Sequence, residues 1–534
     1  MAGLSFRSGP ALVELSAQGE VTAVRHEDGD SYLDGAGAVQ VWTGGVAREW
    51  SPPTLEVDAD EVEVTRTSGA LRVVVRHTFA AGWAIRLALT NTGPDELVLD
   101  DVRLGWRAAP GRPVTALAAG AAGSVAVLPA DGAGPLLGAV LRLGVLDRVD
   151  ADGLHLGRVV LAPQGRFVEQ WHVGFQPGPG AFGRGLHPEV PVRLDLELGD
   201  AVSIATTEDE ALVLGEGLVA EPVRGGTELT GWRAGTHEVE LRSARGSTRY
   251  PLRVAEPWSE VLRASAAWVL DRPRTSSGVV PLSGPDQALV VQAALAAGVV
   301  EDDYEAEDAL DLYGARLPED GDRDARTIGW LCAEHDRVTD PEPLTWALRG
   351  VLGHRRPEPG LGLVATRVCL ALVVAGRPVT PVVEHLRTLA REAERPPGAG
   401  GLGEQAALLE LEVVTMARRP ADPPAAAGTR PSGVRTGAST WLPGAVLPRT
   451  AAVGDRLGGG LTGRPVPPLP LELLAHVAAV LTLLPEPVSA ELAGRWGCSA
   501  HELGRRARAE VLARLEGPVP GPAHGWLVLA SRPG

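Results

Sequence analysis

The sequence predicts a multidomain β-then-α protein: an N-terminal antiparallel β-sandwich, a small β region, and a C-terminal helical domain. Three observations predict it. Apolar residues alternate with polar ones over the first ~200 residues, with no useful helix-period stretch between them. At Glu256 the apolar period changes to that of a helix and stays there. Short Gly/Pro loops join most of the helical segments, which favours antiparallel neighbours.

Residues 1–198 carry the strand patterns, among them ALVELS, LRVVVRHTF, WAIRLALTN and RFVEQWHVGF. Gly, Pro, Asn and Asp punctuate them, as in TNTGPDE and PADGAG. Many evenly spaced strands argue for a sandwich of large sheets. Residues 199–256 add a smaller group, including HEVELRS and STRYPLRV. They read as a small immunoglobulin-like sandwich or as an extension of the first sheets. From 257 to 534 helical patterns recur at 258–271, 285–298, 303–315, 324–337, 343–354, 362–376, 380–394, 403–418, 470–484 and 488–515. Residues 419–470 interrupt them with Pro, Gly, Ala and Arg. They read as a flexible linker, or as a long loop over a site because Trp441 and Leu442 lie there. GWLVLASRPG at the C-terminus reads as a final short strand.

Composition narrows the function. The chain has 534 residues, a formal net charge of −17 and no lysine. Residues 301–343 hold 15 Asp or Glu against 4 Arg, a net −11 in one stretch. Such a surface disfavours nucleic acid, whose affinity rests on Lys and Arg neutralising phosphates. A neutral sugar or a cationic ligand is compatible with it, and a protein partner remains open. Cys332, Cys369 and Cys498 are odd in number, widely spaced and set among apolar residues, which reads as buried, reduced thiols. The N-terminus lacks the basic start and continuous apolar core of a signal peptide, and no long uncharged apolar run spans a membrane. The expectation is a cytoplasmic protein. HExxH, a clustered Cys/His set and GxxxxGK[ST] are all lacking, so no metal and no cofactor is expected. GDRLGGGLTG (454–463) follows no strand and reads as loop.

The densest run of candidate residues is 285–340. DGDRDARTIGWLCAEHDRVTD within it resembles helix pairs of α/α-toroid carbohydrate-active proteins. In those, an Asp-Gly turn ends one helix; the next opens on a Gly-aromatic pair and closes on Glu-His before Thr-Asp. The matching residues are Asp320, Gly321, Gly329, Trp330, Glu334, His335, Thr339 and Asp340. A β-sandwich, a short linker domain and an α-toroid is also the order in several glycoside hydrolases, phosphorylases and polysaccharide lyases. The resemblance implies an α/α-toroid-like helical domain and a glycoside hydrolase-like activity. It departs from the pattern in one respect: a six-hairpin toroid needs twelve helices, and about ten are predicted.

Glycoside hydrolysis uses two carboxylates, one protonated as acid and one ionised as base or nucleophile. By the resemblance the catalytic candidates are Glu319, Asp320, Asp322 and Asp324 on the loop before the Trp330 helix, with Asp286. The local alternatives are a solvated turn for the first four and a first-turn acid for Asp286. Trp330, Arg326, His335 and Trp441 are the substrate-binding candidates, since indole faces stack on sugars. Against this, most Trp are core, and a His near a helix C-terminus serves the last carbonyls. A non-catalytic saccharide- or protein-binding descendant of the architecture is the alternative. A third reading is a DNA-associated regulator using the helix-turn-helix-like spacing at 491–508, which needs its arginines exposed on one helix.

Overall fold

The computed structural model describes residues 3–531 apart from 81, 188–189, 192–193, 208–209, 277, 319–322, 339, 417–445 and 462. It has a β-then-α multidomain layout. The chain divides into two compact units. One comprises Met1–Arg253, Gly454–Leu469 and Gly494–Gly497; the other comprises Val254–Val453, Pro470–Ala493 and Cys498–Gly534.

The first unit is built on two large antiparallel sheets. An eight-stranded sheet follows the order Leu4–Ser8, Ala11–Leu15, Val21–His26, Ser31–Thr43, Asp101–Ala108, Gly153–His155, Arg148–Val149, with Val46–Ala47 paired to Ser31–Thr43. A 13-stranded sheet places Leu136–Leu143, Arg166–Gln176, Trp83–Asn91, Leu71–Thr78, Glu61–Ser68 and Thr54–Val57 side by side. Alternation decides which face is covered. In LRVVVRHT, Leu71, Val73, Val75 and His77 are buried, while Arg72, Val74, Arg76 and Thr78 point the other way. The buried rows of both sheets form one core, with Val13, Leu33, Val41 and Leu104 from one and Val73, Ile85, Leu89 and Trp171 from the other. Trp83 and Trp106 stack between them at a centroid distance of 6.4 Å.

Hydrogen bonding continues past residue 199. Gly246–Ala255 pairs with Val114–Gly120 at Ala119↔Arg249 and Gly120↔Thr248, so later strands join the larger sheet. Gly120 has φ +84°, and any Cβ there would collide with the Ser247 carbonyl. Only glycine allows this junction. Ala201–Ile204, Gly226–Gly231 and Leu218–Val223 form a separate three-stranded sheet. A short helix, α1 (Pro179–Arg184), packs Phe182 onto the second sheet against Leu117, Leu128 and Leu136.

The second unit is helical: α2 (Trp258–Leu270), α3 (Pro285–Ala296), α4 (Asp303–Arg316), α5 (Ala325–Val338), α6 (Pro341–Gly353), α7 (Leu361–Val374), α8 (Thr380–Glu392), α9 (Leu402–Met416), most of α10 (Val446–Asp455), α11 (Leu471–Leu483), α12 (Glu486–Glu491), α14 (Ala500–Arg514) and α15 (Pro522–Ala530), while α13 (Ala493–Trp496) belongs to the first unit from Gly494 on. Contacts run from α3 through α5, α7, α9, α11 and α15 and back to α3, so six helices close a cycle. α2 and α4 pack on α3, α6 on α5, α8 on α9, and α14 on α11. The sequence separates these roles. α8 buries only Val382, Val383, Leu386 and Leu389, one stripe, whereas α9 and α11 bury most of their residues.

A buried carboxylate holds the cycle's interior. Glu410 on α9 accepts the backbone N–H groups of Gly360 (3.1 Å), Gly362 (2.9 Å) and Leu363 (3.2 Å) at the start of α7. It also bonds the His476 imidazole on α11. These N–H groups have no partner within their own helix, so Glu410 caps α7 from another helix. Gly360 has φ +85° and abuts Trp526 of α15, leaving no room for a side chain.

Two expectations about elements are corrected here. The C-terminal stretch is helix α15, not a strand. Gly521-Pro522 is a helix start, and an apolar run buried on all sides shows no amphipathic period. The predicted 488–515 helix is three: α12, α13 and α14, with Gly497 (φ +77°) breaking the run and Ser499 capping α14 through the Glu502 N–H at 3.1 Å. The described part of 419–470 is also folded. Asp455 is fully buried and accepts Trp496 Nε1 at 2.9 Å and Arg495 Nη2 at 2.6 Å. Leu461 joins the Phe182 cluster, and Arg464–Val466 adds a strand to Val114–Gly120. Gly458, Gly459 and Gly460, all at positive φ, make the turns between. Trp441 lies outside the described residues.

Candidate functional site

Three of the sequence-named residues come together at the helix starts of the second unit. Asp286 lies in the first turn of α3, behind Pro285 at the opening position. Asp324 precedes α5, and its Oδ1 accepts the Thr327 N–H at 2.8 Å, an N-cap contact. Arg326 joins them. Its Nη1 donates to Asp286 Oδ2 at 3.1 Å and its Nη2 to Asp324 Oδ2 at 3.2 Å. The guanidinium carbon sits 5.9 Å from the Trp526 ring centroid. Gly525 beside that indole has no room for a side chain, because the Asp286 carboxylate fills the space.

Burial sets the electrostatics. It pushes the Asp286 carboxyl up to about 6, against the pull of Arg326, with Asp324 and Glu472 adding to the rise. Tyr313 on α4 is buried near the same acids, and burial pushes its hydroxyl up to about 12. The side chains of Asp286, Arg326 and Asp324 are 17%, 22% and 43% exposed, so the cluster is open on one side. It offers a carboxyl that exchanges a proton near neutral pH, a fixed cation and a second carboxylate. That combination suits general acid–base work or binding of a polar ligand.

The other named residues do not join it. Glu319, Asp320, Asp322 and Trp441 lie outside the described residues. Trp330 is 1% exposed, with Tyr313 edge-on at a centroid distance of 4.9 Å. Its ring packs against neighbours and presents no open face to a sugar, which corrects the expectation for this residue. His335 sits at the far end of α5 from Arg326, nine residues or roughly 13 Å along the helix. Its Nδ1 contacts the Asp340 carbonyl at 2.5 Å, the local role its position allows. Nor does 491–508 present a single basic helix. Arg495 lies on α13 bonded to Asp455, Arg505 and Arg506 both bond Glu502, and Arg508 lies over Trp258.

Two members of the cluster were missed in the sequence. Trp526 was read as part of a strand, although Gly521-Pro522 signals a helix start. Glu472 follows Pro470 as a first-turn acid, a common pattern that names no site. In the first unit, Glu169 is another perturbed acid. It is fully buried, and burial pushes its carboxyl up to about 8, with Trp171 Nε1 donating at 2.8 Å. It lies within the core of the sandwich. Among the described residues no group of three or more His, Cys, Asp or Glu is placed to hold a metal ion. No described helix is by itself long and apolar enough to cross a membrane.

No protein-family model matches this sequence, and no curated protein matches it. Among solved structures, a polysaccharide lyase aligns over 99% of this chain and 99% of its own, with TM-score 0.67 and 12% identity. The two share a fold from end to end. A glycoside hydrolase family 81 enzyme from Clostridium thermocellum aligns at TM-score 0.19 and 11% identity over 99% of this chain and 84% of its own. YidC from Thermotoga maritima aligns at TM-score 0.21 and 14% identity over 35% and 55%. Scores that low support no likeness of fold.

Proposed function

We propose that this chain is a carbohydrate-active protein acting on a polysaccharide, with Asp286 as its proton-carrying carboxyl. The observation that carries the reading is the Asp286–Arg326–Asp324 cluster, set in a fold shared over its full length with a polysaccharide lyase. The cycle of six helices supports a toroid-like arrangement in which helix starts surround a site. The bridge through one guanidinium keeps the two carboxylates within about 9 Å of each other, a separation that acid–base cleavage of a glycosidic bond can use.

In this reading Asp286 donates the proton, because burial keeps it protonated to about pH 6. Arg326 orients it and offers positive charge to the substrate. A second reading, a non-catalytic saccharide- or protein-binding protein of the same architecture, is favoured by Arg326 itself. That side chain bonds both carboxylates and leaves neither free.

The test is release of reducing ends and of unsaturated products from a polysaccharide panel, for wild type beside Asp286→Asn and Asp324→Asn. The catalytic reading expects kcat to fall roughly 10²- to 10⁴-fold in Asp286→Asn with substrate binding retained. It also expects wild-type kcat to decline as pH rises through about 6, where Asp286 loses its proton. Binding without turnover in every protein, wild type included, would establish the second reading.

A further inference from the structure

The second face of the 13-stranded sheet carries an unbalanced charge. Strand register places its outward residues in rows. Arg72 and Arg166 flank Thr90 in one row, and Arg76, Arg86 and Gln170 stand side by side in another. Two residues further along the strands, Thr78, Ala84, His172 and Val140 form the next row, with Arg142 beside it. The acids on this face are Glu56, Glu61 and Glu63; Glu61 and Glu63 pair with Arg76, and Glu56 stands opposite Glu63 at the sheet edge. Arg72, Arg86, Arg142 and Arg166 are exposed, and none pairs with a carboxylate among the described residues. Like charges directly across a strand pair, such as Arg76 and Arg86, destabilise a sheet. A chain with net charge −17 has acids to spare, yet none stands beside Arg86.

The face is also shaped. A hollow of about 210 Å³ lies among Glu63, Arg72, Arg76, Arg86, Thr90 and Arg166. A second, of about 430 Å³, continues along the same strands past Arg142, His172 and Gln176 to Phe182. From Arg166 to Gln176 the path covers ten residues, roughly 33 Å of strand. The two hollows therefore follow one another along an extended track with guanidinium groups beside it.

We infer that this face of the first unit binds an acidic polysaccharide, its carboxylates taken by Arg72, Arg86, Arg142 and Arg166. The charge complementarity selects the occupant. A guanidinium fork matches a carboxylate with two parallel hydrogen bonds. Among the described residues no exposed Phe, Tyr or Trp interrupts the rows and His172 is the one exposed ring in them, so the run of aromatic stacking platforms that holds single-stranded nucleic acid is missing here. The acidic remainder of the surface opposes a densely charged duplex. The inference rests on the carbohydrate reading above and adds a binding surface apart from Asp286.

The test is calorimetric titration of the full chain with polygalacturonate, alginate and heparin at two salt concentrations, beside neutral dextran and a single-stranded DNA oligomer. Wild type is expected to bind at least one acidic glycan, more weakly at higher salt, and not dextran. Arg86→Gln/Arg166→Gln is expected to weaken that binding at least tenfold with its melting temperature unchanged. Arg142→Gln, at the other hollow, gives a smaller loss in the same direction. Asp286→Asn is expected to bind as wild type does. Failure of all three acidic glycans to bind, unchanged binding by the arginine variants, or equally tight binding of the DNA oligomer would overturn the inference. Arginine-dependent glycan binding by a protein that turns nothing over leaves this surface standing and removes only the catalytic role of Asp286.

Discussion

Glu169 in the sheet unit and Glu410 in the helical unit are both fully buried glutamates, and they are solvated by the protein in opposite ways. Glu410 has three backbone N–H donors and an imidazole, at a helix start whose dipole favours negative charge. Glu169 has one indole N–H on Oε1 and no partner on Oε2, so burial drives its carboxyl up to about 8. Burial with a single donor thus drives the Glu169 carboxyl up, while the donors around Glu410 serve to tie the start of α7 to α9. Asp286 stands between them, partly buried with one arginine partner.

The sharpest way to break this comparison is to remove Glu410. Glu410→Leu strands the N–H groups of Gly360, Gly362 and Leu363, and should cost about 3–5 kcal/mol in denaturant unfolding. A loss under about 1 kcal/mol would show that the cap does not hold α7.

The next effect is a pH slope. Glu169 binds its proton more tightly folded (about 8) than unfolded (near 4.5), so the folded state holds more protons between these values. Stability should then fall as pH rises from about 4.5 to about 8, by an amount on the order of a few kcal/mol. Glu169→Gln should remove most of that slope, while changing stability near pH 6 by under about 1.5 kcal/mol. Melting curves from pH 5 to 8.5 read both, and an unchanged slope in Glu169→Gln would assign the titration elsewhere.

The smallest effect concerns Arg326. Arg326 lowers the Asp286 pKa, so Arg326→Gln should move it further above about 6. Asp286 also binds its proton more tightly folded than unfolded, and its stabilising protonation is lost as pH rises through that value. NMR titration of the carboxyl carbon in both proteins reads the shift. A downward move would mean that Arg326 does not govern this acid.

Much of the architecture was legible locally. Alternation in LRVVVRHT named a strand and also which residues face outward, because the side-chain period of a strand is two. Pro285 and Asp286 marked the start of α3 within one residue. Legibility failed where burial removes the pattern. α15 is buried on every side, and its Trp526 belongs to a cluster whose other members come from α3, the start of α5 and α11, far from it in the sequence. The run after Val446 looked like linker because its fold depends on Asp455 meeting Trp496, 41 residues on.

The sequence by itself determined the β-then-α order, most element boundaries and the excess of acid, since these follow from periodicity, turn chemistry and composition. Only the tertiary structure decided which acid is perturbed, that Trp330 is core, and that four arginines from four strands share one face. Burial and charge pairing are properties of neighbours in space, and the chain brings those neighbours from distant positions.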